Sequence, residues 1–105
     1  MDIVVIKESK KALQMSKNDN VAIALEDVEA GDKISVLTLL TRQELRIITA
    51  SENISFGHKI ALEKISSNAK IMKYSYEIGL ATKKIQIGEH VHLHNIASQY
   101  LHETE

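Results

Sequence analysis

Apolar and polar residues alternate in short segments along this 105-residue chain, and most of the segments are too short for a helix. β-Branched side chains dominate the apolar positions, with fourteen isoleucines and six valines against one phenylalanine and no tryptophan. Such side chains fit a pleated strand surface and lose rotamer freedom in a helix. The pattern predicts a mainly β fold. The predicted strands are 2–7, 10–15, 21–25, 33–40 and 44–50.

The connecting segment and the tail complete this pattern. Residues 16–20 (SKNDN) predict a loop, because Asn and Asp side chains bond to nearby backbone. Residues 95–105 (NIASQYLHETE) predict a short C-terminal helix of marginal length. We expect one domain over 1–105, since a chain of this size buries one modest core.

A turn followed by a strand recurs three times. The copies are VEAGDKISV (28–36), ISFGHKIAL (54–62) and IQIGEHVHL (85–93). Their glycines are predicted to adopt a backbone conformation that is costly for residues with a Cβ atom. Alternation after each glycine predicts three same-face apolar pairs. These pairs are Ile34 with Val36, Ile60 with Leu62, and Val91 with Leu93.

Charge and composition exclude several classes of function. A net charge of −1 and a pI near 6.5 give no electrostatic attraction to nucleic acid or an anionic membrane. The absence of cysteine excludes disulfides and thiolate chemistry. The N-terminal apolar run is too short for a signal peptide, and no segment approaches a membrane span. We expect a cytoplasmic protein that binds neither nucleic acid nor membrane.

Four motifs occur together in this chain: NDNVAIAL (18–25), GHKIAL (57–62), IMKYSYEIGLAT (71–82) and GEHVHLHN (88–95). In this order they resemble the N-terminal SAF domain of the altronate and galactarate dehydratase family, which includes the sulfolactate sulfo-lyase small subunit. The resemblance covers roughly residues 10–96 and implies a β-clip fold, a small bent domain of long β-hairpins. One departure is the lysine-rich start, where relatives often carry a His-Pro pair. This chain has no proline, so that loop is expected to differ in shape.

The resemblance also implies a function. The chain is expected to be the small subunit or N-terminal domain of a sugar-acid hydro-lyase, with altronate as the default substrate. Its expected partners are a large catalytic dehydratase subunit and the sugar acid, and the isolated chain is expected to be inactive. Two alternatives remain open: a sulfolactate sulfo-lyase small subunit, and a non-catalytic β-clip module that binds carbohydrate or a protein partner. An unfilled partner surface would favour a homo-oligomer of the isolated chain.

Dehydration next to a carboxylate needs a base, a group that stabilises the developing negative charge, and assistance to the leaving hydroxide. A divalent metal, with Fe²⁺ and Mg²⁺ as candidates, is therefore expected in the assembled enzyme. Such ions usually also bind carboxylates. Only Glu89 lies beside the histidines in sequence, and alternation places it on the opposite face. The chain is thus expected to contribute to a shared site, or to cover it as a lid.

The segment HVHLH (90–94) carries the first candidate residues. Strand alternation predicts that His90, His92 and His94 share one face. Two imidazoles about 6.6–7 Å apart along a strand can converge on one metal, and three do so less readily. With the resemblance, His92 and His94 are assigned as catalytic residues and metal ligands, and His90 is interpreted as structural. Without it, a solvated polar face is the simpler interpretation.

Further candidates lie in the other motifs. His58 is assigned as a catalytic acid or base, because an imidazole titrates near neutral pH. Lys59, Lys73 and Asn95 are assigned as substrate-binding residues, the lysines as contacts for a carboxylate. For His58 and Lys59 the alternative is two exposed polar residues at a hairpin start. Asp19 and Asn20 precede a strand, where an Asx turn explains them without a role in the site.

Overall fold

The computed structural model describes residues 8–98, which form nine β-strands. In chain order these are β1 (Lys10–Gln14), β2 (Val21–Ala24), β3 (Lys33–Thr38), β4 (Glu44–Thr49), β5 (Lys59–Ala61), β6 (Lys70–Lys73), β7 (Tyr76–Ala81), β8 (His90–Val91) and β9 (Ile96–Ala97). The mainly β prediction is confirmed. Within this part of the chain there is no helix that is long and apolar enough to cross a membrane.

The strands form two sheets. The larger has the order β4-β3-β1-β2-β5-β8, and the smaller has the order β6-β7-β9. β1 and β3 are parallel, whereas the other paired strands are antiparallel. One apolar cluster lies within the larger sheet and includes Ile34, Val36 and Ile60. A second cluster joins the two sheets through Val21, Ile71 and other buried residues.

The predicted strands within 10–50 are present, each one or two residues shorter at its C-terminal end. The strand predicted over 2–7 lies outside the described residues. The predicted C-terminal helix does not begin at its expected start, because Ile96 and Ala97 form β9 and pair with β7. Residues 99–105 of that prediction lie outside the described part of the chain.

The turn motif occurs four times rather than three. In the additional copy, ISSNAKI (65–71), Asn68 occupies the glycine position with a φ of 69°. Gly31, Gly57 and Gly88 have φ values of 91°, 83° and 83°, which confirms the predicted glycine conformation. In every copy the next residue donates its N–H to the carbonyl three residues earlier, closing a β-turn. The pattern was missed because it was defined by glycine, and Asn also tolerates positive φ.

Each of these four turns is bonded to a buried alanine that lies four residues before the start of another copy. Gly31 donates to the Ala50 carbonyl and Gly57 to the Ala24 carbonyl, both at 2.8 Å. The last two copies exchange bonds in the same way. Their bonds run from Asn68 to Ala81 and from Gly88 to Ala61, at 2.7 and 2.8 Å. All four alanines donate their own N–H back to the partner turn at 2.9 Å, so the copies interlock in two reciprocal pairs.

Asp19 and Asn20 attach the β6–β7 hairpin to the β1–β2 loop. The buried Asp19 carboxylate accepts hydrogen bonds from Tyr74 N and Ser75 N, at 2.9 and 2.8 Å. Both hairpin residues have positive φ, as in a two-residue type I′ turn. Asn20 bonds to the backbone of Lys70 and Met72. The two side chains therefore make long-range contacts, rather than only the local turn expected from sequence.

Alanine substitution of two glycines should separate backbone strain from steric overlap. At Gly57 an added Cβ meets nothing within 4 Å, so Gly57→Ala should cost only the left-handed backbone energy, about 1–2 kcal/mol. At Gly88 the Cβ would lie 2.1 Å from the Thr49 carbonyl oxygen. We expect overlap there to add ~1–3 kcal/mol to the loss in free energy of unfolding. Urea denaturation of both variants checks this, and equal losses would contradict it.

Candidate functional site

Two of the four turns carry histidines and lie next to each other. His58 directly follows Gly57, and His90 lies two residues after Gly88. β5 pairs with β8 in antiparallel register, with Ile60 opposite His90. Because of this pairing, residues that are 32 positions apart in sequence have adjacent side chains. We call His58, His90, His92 and His94 the histidine cluster.

The imidazole rings of the histidine cluster are in direct contact. His58 Nδ1 lies 2.8 Å from His90 Nε2, a hydrogen bond in which one ring donates to the other. The rings of His58 and His92 stack with centroids 4.4 Å apart and planes 18° apart. His90 stacks on His92 at 5.2 Å, while His94 is tilted by 42° against His90 at 5.3 Å. Nitrogen atoms of His58, His90 and His92 all lie within 4.8 Å of one another.

The extended segment predicted through His94 is wrong, because β8 ends at Val91. Beyond it the chain turns, and Asn95 N and Ile96 N both donate to the His92 carbonyl at 3.0 and 3.1 Å. The turn also overturns one predicted apolar pair: Val91 is fully buried, but Leu93 is 83% exposed. His92 consequently reaches the cluster from the turn rather than by strand alternation.

The backbone under the histidine cluster is held by two side chains. Asn95 is completely buried, and its Oδ1 accepts the His92 N–H at 2.9 Å while its Nδ2 donates to the His90 carbonyl at 2.8 Å. The Glu52 carboxylate accepts the His90 N–H at 3.0 Å. Buried polar groups with all partners satisfied favour one local conformation. The imidazoles thus project from a fixed piece of backbone.

Burial and neighbouring charges keep two of the imidazoles neutral. Burial, followed by His58, His94 and His92, lowers the pKa of His90, with Glu52 opposing the shift. Partial desolvation, followed by His58, Lys59 and His94, lowers the pKa of His92. Crowded imidazoles disfavour a positive charge on any one of them. Near pH 7 these rings therefore offer lone pairs to a proton or a metal.

Lys59 adjoins the cluster, and Lys73 lies close enough to Lys59 to influence it. Burial, and secondarily the charge of Lys73, lowers the pKa of Lys59 from its ordinary value of 10.5. Lys73 Nζ lies 5.6 Å from the centroid of the Tyr74 ring. Asp19 accepts the N–H groups of Tyr74 and Ser75, which directly follow Lys73, and so holds the end of the strand that carries Lys73. The surroundings of the imidazoles are cationic, which suits an anionic ligand.

The structure thus brings together most of the residues predicted for the site. His58, His92 and Lys59 are neighbours, and His94 is exposed at the margin. His90, interpreted from sequence as structural, lies at the centre of the cluster. The roles assigned to these residues stay predictions. Glu52 was missed, because its contact with His90 spans 38 residues and no local pattern reports it.

Comparison with known proteins gives a family match over most of the chain. The family described as the altronate/galactarate dehydratase SAF domain matches residues 10–99. The resemblance read from the four motifs and the SAF fold are therefore confirmed.

Curated relatives include both kinds of lyase. The chain is 38% identical over 86 residues to the altronate dehydratase of Bacillus subtilis (strain 168), covering 82% of this chain and 16% of that protein. It is 39% identical over 77 residues to the altronate dehydratase of Escherichia coli (strain K12), covering 73% of this chain and 14% of that protein. It is 31% identical over 77 residues to the (2R)-sulfolactate sulfo-lyase subunit alpha of Chromohalobacter salexigens, covering 73% of this chain and 81% of that subunit. The chain therefore spans less than a fifth of the altronate dehydratases that it matches.

Removal of the Asn95 amide should loosen the histidine cluster. Asn95→Ala leaves the His92 N–H and the His90 carbonyl without their partner, and we expect a loss of about 2–4 kcal/mol in free energy of unfolding. Asn53→Ala is the matched control, because the exposed Asn53 accepts one bond from Ala30 N. A loss of about 0.5–1.5 kcal/mol is expected there. Chemical denaturation measures both, and an Asn95→Ala variant as stable as Asn53→Ala would contradict the assignment.

The lowered imidazole pKa values also predict how stability depends on pH. His90 and His92 have native-state pKa values below 6.5, so the unfolded chain binds their protons more readily. Their contribution to stability is complete above pH 6.5 and is lost as the pH falls through the native pKa values. The free energy of unfolding should therefore decline below pH 6.5, and less steeply in His90→Gln. Urea denaturation between pH 7.5 and 5 tests this, and parallel declines in both proteins would contradict it.

Proposed function

The chain belongs to the altronate/galactarate dehydratase SAF domain family, and from this membership we propose that it supplies part of the active site of a lyase that acts on a sugar acid. A larger catalytic polypeptide completes that site. One observation carries the proposal: in a chain related to lyases, stacked imidazoles lie beside Lys59, which in turn has Lys73 nearby.

The proposed division of roles follows from the contacts. His58 or His92 takes the proton next to the substrate carboxylate, since a neutral imidazole is a suitable base near pH 7. Lys59 and Lys73 bind the carboxylate and offset the negative charge that develops on it. Asn95 was assigned from sequence as a substrate contact, but the oxygen and the nitrogen of its amide both bond to histidine backbone. We therefore propose a positioning role for Asn95.

The need for a larger partner follows from the exposure of the cluster. His94 and Leu93 are exposed at its margin, so solvent reaches the imidazoles from that side. Elimination next to a carboxylate is favoured where water is excluded and charges interact strongly. A catalytic polypeptide docked over this surface would exclude water and add the carboxylates that a metal-assisted elimination commonly uses. The relatives support this arrangement, because the matched segment is a small part of each altronate dehydratase.

A second candidate is the small subunit of a sulfo-lyase. The chain matches 81% of the length of the (2R)-sulfolactate sulfo-lyase subunit alpha, so a polypeptide of this size exists as a separate subunit in that relative. Two ammonium groups bind a sulfonate as readily as a carboxylate, so Lys59 and Lys73 fit both substrates. The leaving group would then be sulfite rather than water.

Reconstitution with a large lyase polypeptide of the same genome tests the proposal. We expect no turnover by the chain alone and formation of a 2-oxo-3-deoxy acid from altronate when both polypeptides are present. In the assembled enzyme, loss of the imidazole base in His58→Ala or His92→Ala should lower kcat about 10²–10⁴-fold. Asp27→Ala, which changes an exposed carboxylate bonded to Phe56 N, is the control and should retain activity. Release of sulfite from sulfolactate instead would favour the second candidate.

Two outcomes would contradict the proposal. Dehydration of altronate by the isolated chain would remove the need for a shared site. Full activity of both histidine variants in the assembled enzyme would identify the chain as a non-catalytic binding module.

A further inference from the structure

Three imidazoles from two separate turns form a set of metal-ligand atoms. We propose that His58, His90 and His92 bind one divalent transition-metal ion of the Zn²⁺, Co²⁺, Ni²⁺ or Fe²⁺ type, with His94 outside the coordination set. This differs from the His92–His94 pair expected from the sequence. The site lies entirely within this chain, so metal binding can be tested independently of the proposed lyase function. An imidazole that binds the ion through its lone pair is not free to accept a proton, so the base role proposed for His58 or His92 applies to the chain without a metal.

The donor atoms select the class of metal. Neutral imidazole suits Zn²⁺, Fe²⁺, Cu²⁺ and Ni²⁺, whereas Mg²⁺ and Ca²⁺ require oxygen ligands. No carboxylate joins the three-histidine group within the described residues. Glu52, the nearby acidic residue, instead accepts the His90 backbone N–H. The set therefore disfavours Mg²⁺, one of the two ions expected from the sequence.

The nitrogen–nitrogen distances in the histidine cluster lie on both sides of the distance expected around a bound ion. Metal–nitrogen bonds of about 2.0–2.1 Å in a tetrahedron place two ligand nitrogens roughly 3.3 Å apart. His58 Nδ1 and His90 Nε2 are 2.8 Å apart, and the whole set lies within 4.8 Å. To bind an ion, the first two rings would therefore move apart by about half an ångström, and the His92 ring would rotate out of its stack. An ion would replace the hydrogen bond that joins His58 to His90.

The backbone that carries the ligands is already fixed. The β5–β8 register sets the distance between His58, which directly precedes β5, and His90, the first residue of β8. Asn95 fixes the backbone of both His90 and His92, and Glu52 holds His90 from the other side. The entropy cost of metal binding is therefore limited to the loss of side-chain rotation. Outer contacts that orient metal ligands typically contribute about 10–100-fold to metal affinity.

Three protein ligands leave a coordination position for an exogenous oxygen. Three-ligand sites with an open position are typical of catalytic rather than structural zinc. Lys59 lies beside His92, so its ammonium opposes the charge of the metal but attracts an anion bound to it. We therefore expect a carboxylate ligand, such as a 2-hydroxy acid, to bind together with the metal. Addition of glycolate, the simplest 2-hydroxy acid, should strengthen binding of the metal.

Titration of the full chain with Zn²⁺ and Co²⁺ tests the site without any partner. Isothermal calorimetry should show one Zn²⁺ per chain, and Co²⁺ should develop the intense visible absorption of a tetrahedral site. Replacement of any one ligand in His58→Ala, His90→Ala or His92→Ala should weaken binding by more than about 100-fold, beyond the loss seen for outer contacts. His94→Ala is the matched control, with an affinity within about threefold of the original because no ligand is lost. Mg²⁺ should not compete.

Proton NMR of the histidine rings gives a second readout that does not depend on folding of the variants. On addition of Zn²⁺ to the unaltered chain, the ring resonances of His58, His90 and His92 should shift together in slow or intermediate exchange. The absence of binding, equal weakening in His94→Ala, or shifts confined to His92 and His94 would overturn the proposal. Failure of the partner reconstitution alone would leave the metal result intact, which keeps the two proposals distinguishable.

Discussion

The reciprocal hydrogen bonds between turns and alanines are the constraint on which the rest of the structure depends. Each turn presents a backbone N–H from a residue with positive φ, and a buried alanine just before another copy both accepts that bond and returns one. The Gly88 turn has the tightest surroundings, because even a methyl group there would collide with the Thr49 carbonyl. Because the Gly88 turn is bonded to Ala61 at the end of β5, β8 must lie beside β5. The contact between His58 and His90 is a consequence of that arrangement.

The fold class was predictable from the sequence because it depends on local residue patterns. β-Branched residues at alternate positions and glycines before strands report the backbone that they require, and these signals located β1 to β4 and three of the four turns. The glycine pattern missed the fourth turn, because Asn68 takes the position that glycine has in the other three. The alternation also failed at Leu93, whose apolar side chain fits the strand pattern although the chain has already turned. There the bonds to the His92 carbonyl outweigh the strand preference of HVHLH.

The candidate site was less accessible from sequence, since its geometry is tertiary. Motif resemblance pointed to His58, Lys59 and His92, but nothing local shows that His58 meets His90 across 32 residues, or that Glu52 reaches His90 across 38. Asn95 was identified as a candidate from the sequence, but its contacts with the backbone of His90 and His92 were not. An Asn beside histidines suggests a ligand contact. In the structure, however, Asn95 is completely buried and both polar atoms of its amide are bonded, so it supports the histidine backbone.

The electrostatics of the surface favour a ternary rather than a binary interaction. Desolvation, followed by crowding of the imidazoles, lowers the pKa of His90 and His92 and keeps lone pairs available, while Lys59 places positive charge beside His92. The charge of Lys59 weakens the binding of a metal alone, and neutral rings add little to the binding of an anion alone. A metal and an oxyanion bound together satisfy both halves of the surface, since the anion neutralises the ion and contacts the lysines. A hydroxy acid presents its carboxylate and hydroxyl to one metal, so this charge pattern favours that class of ligand.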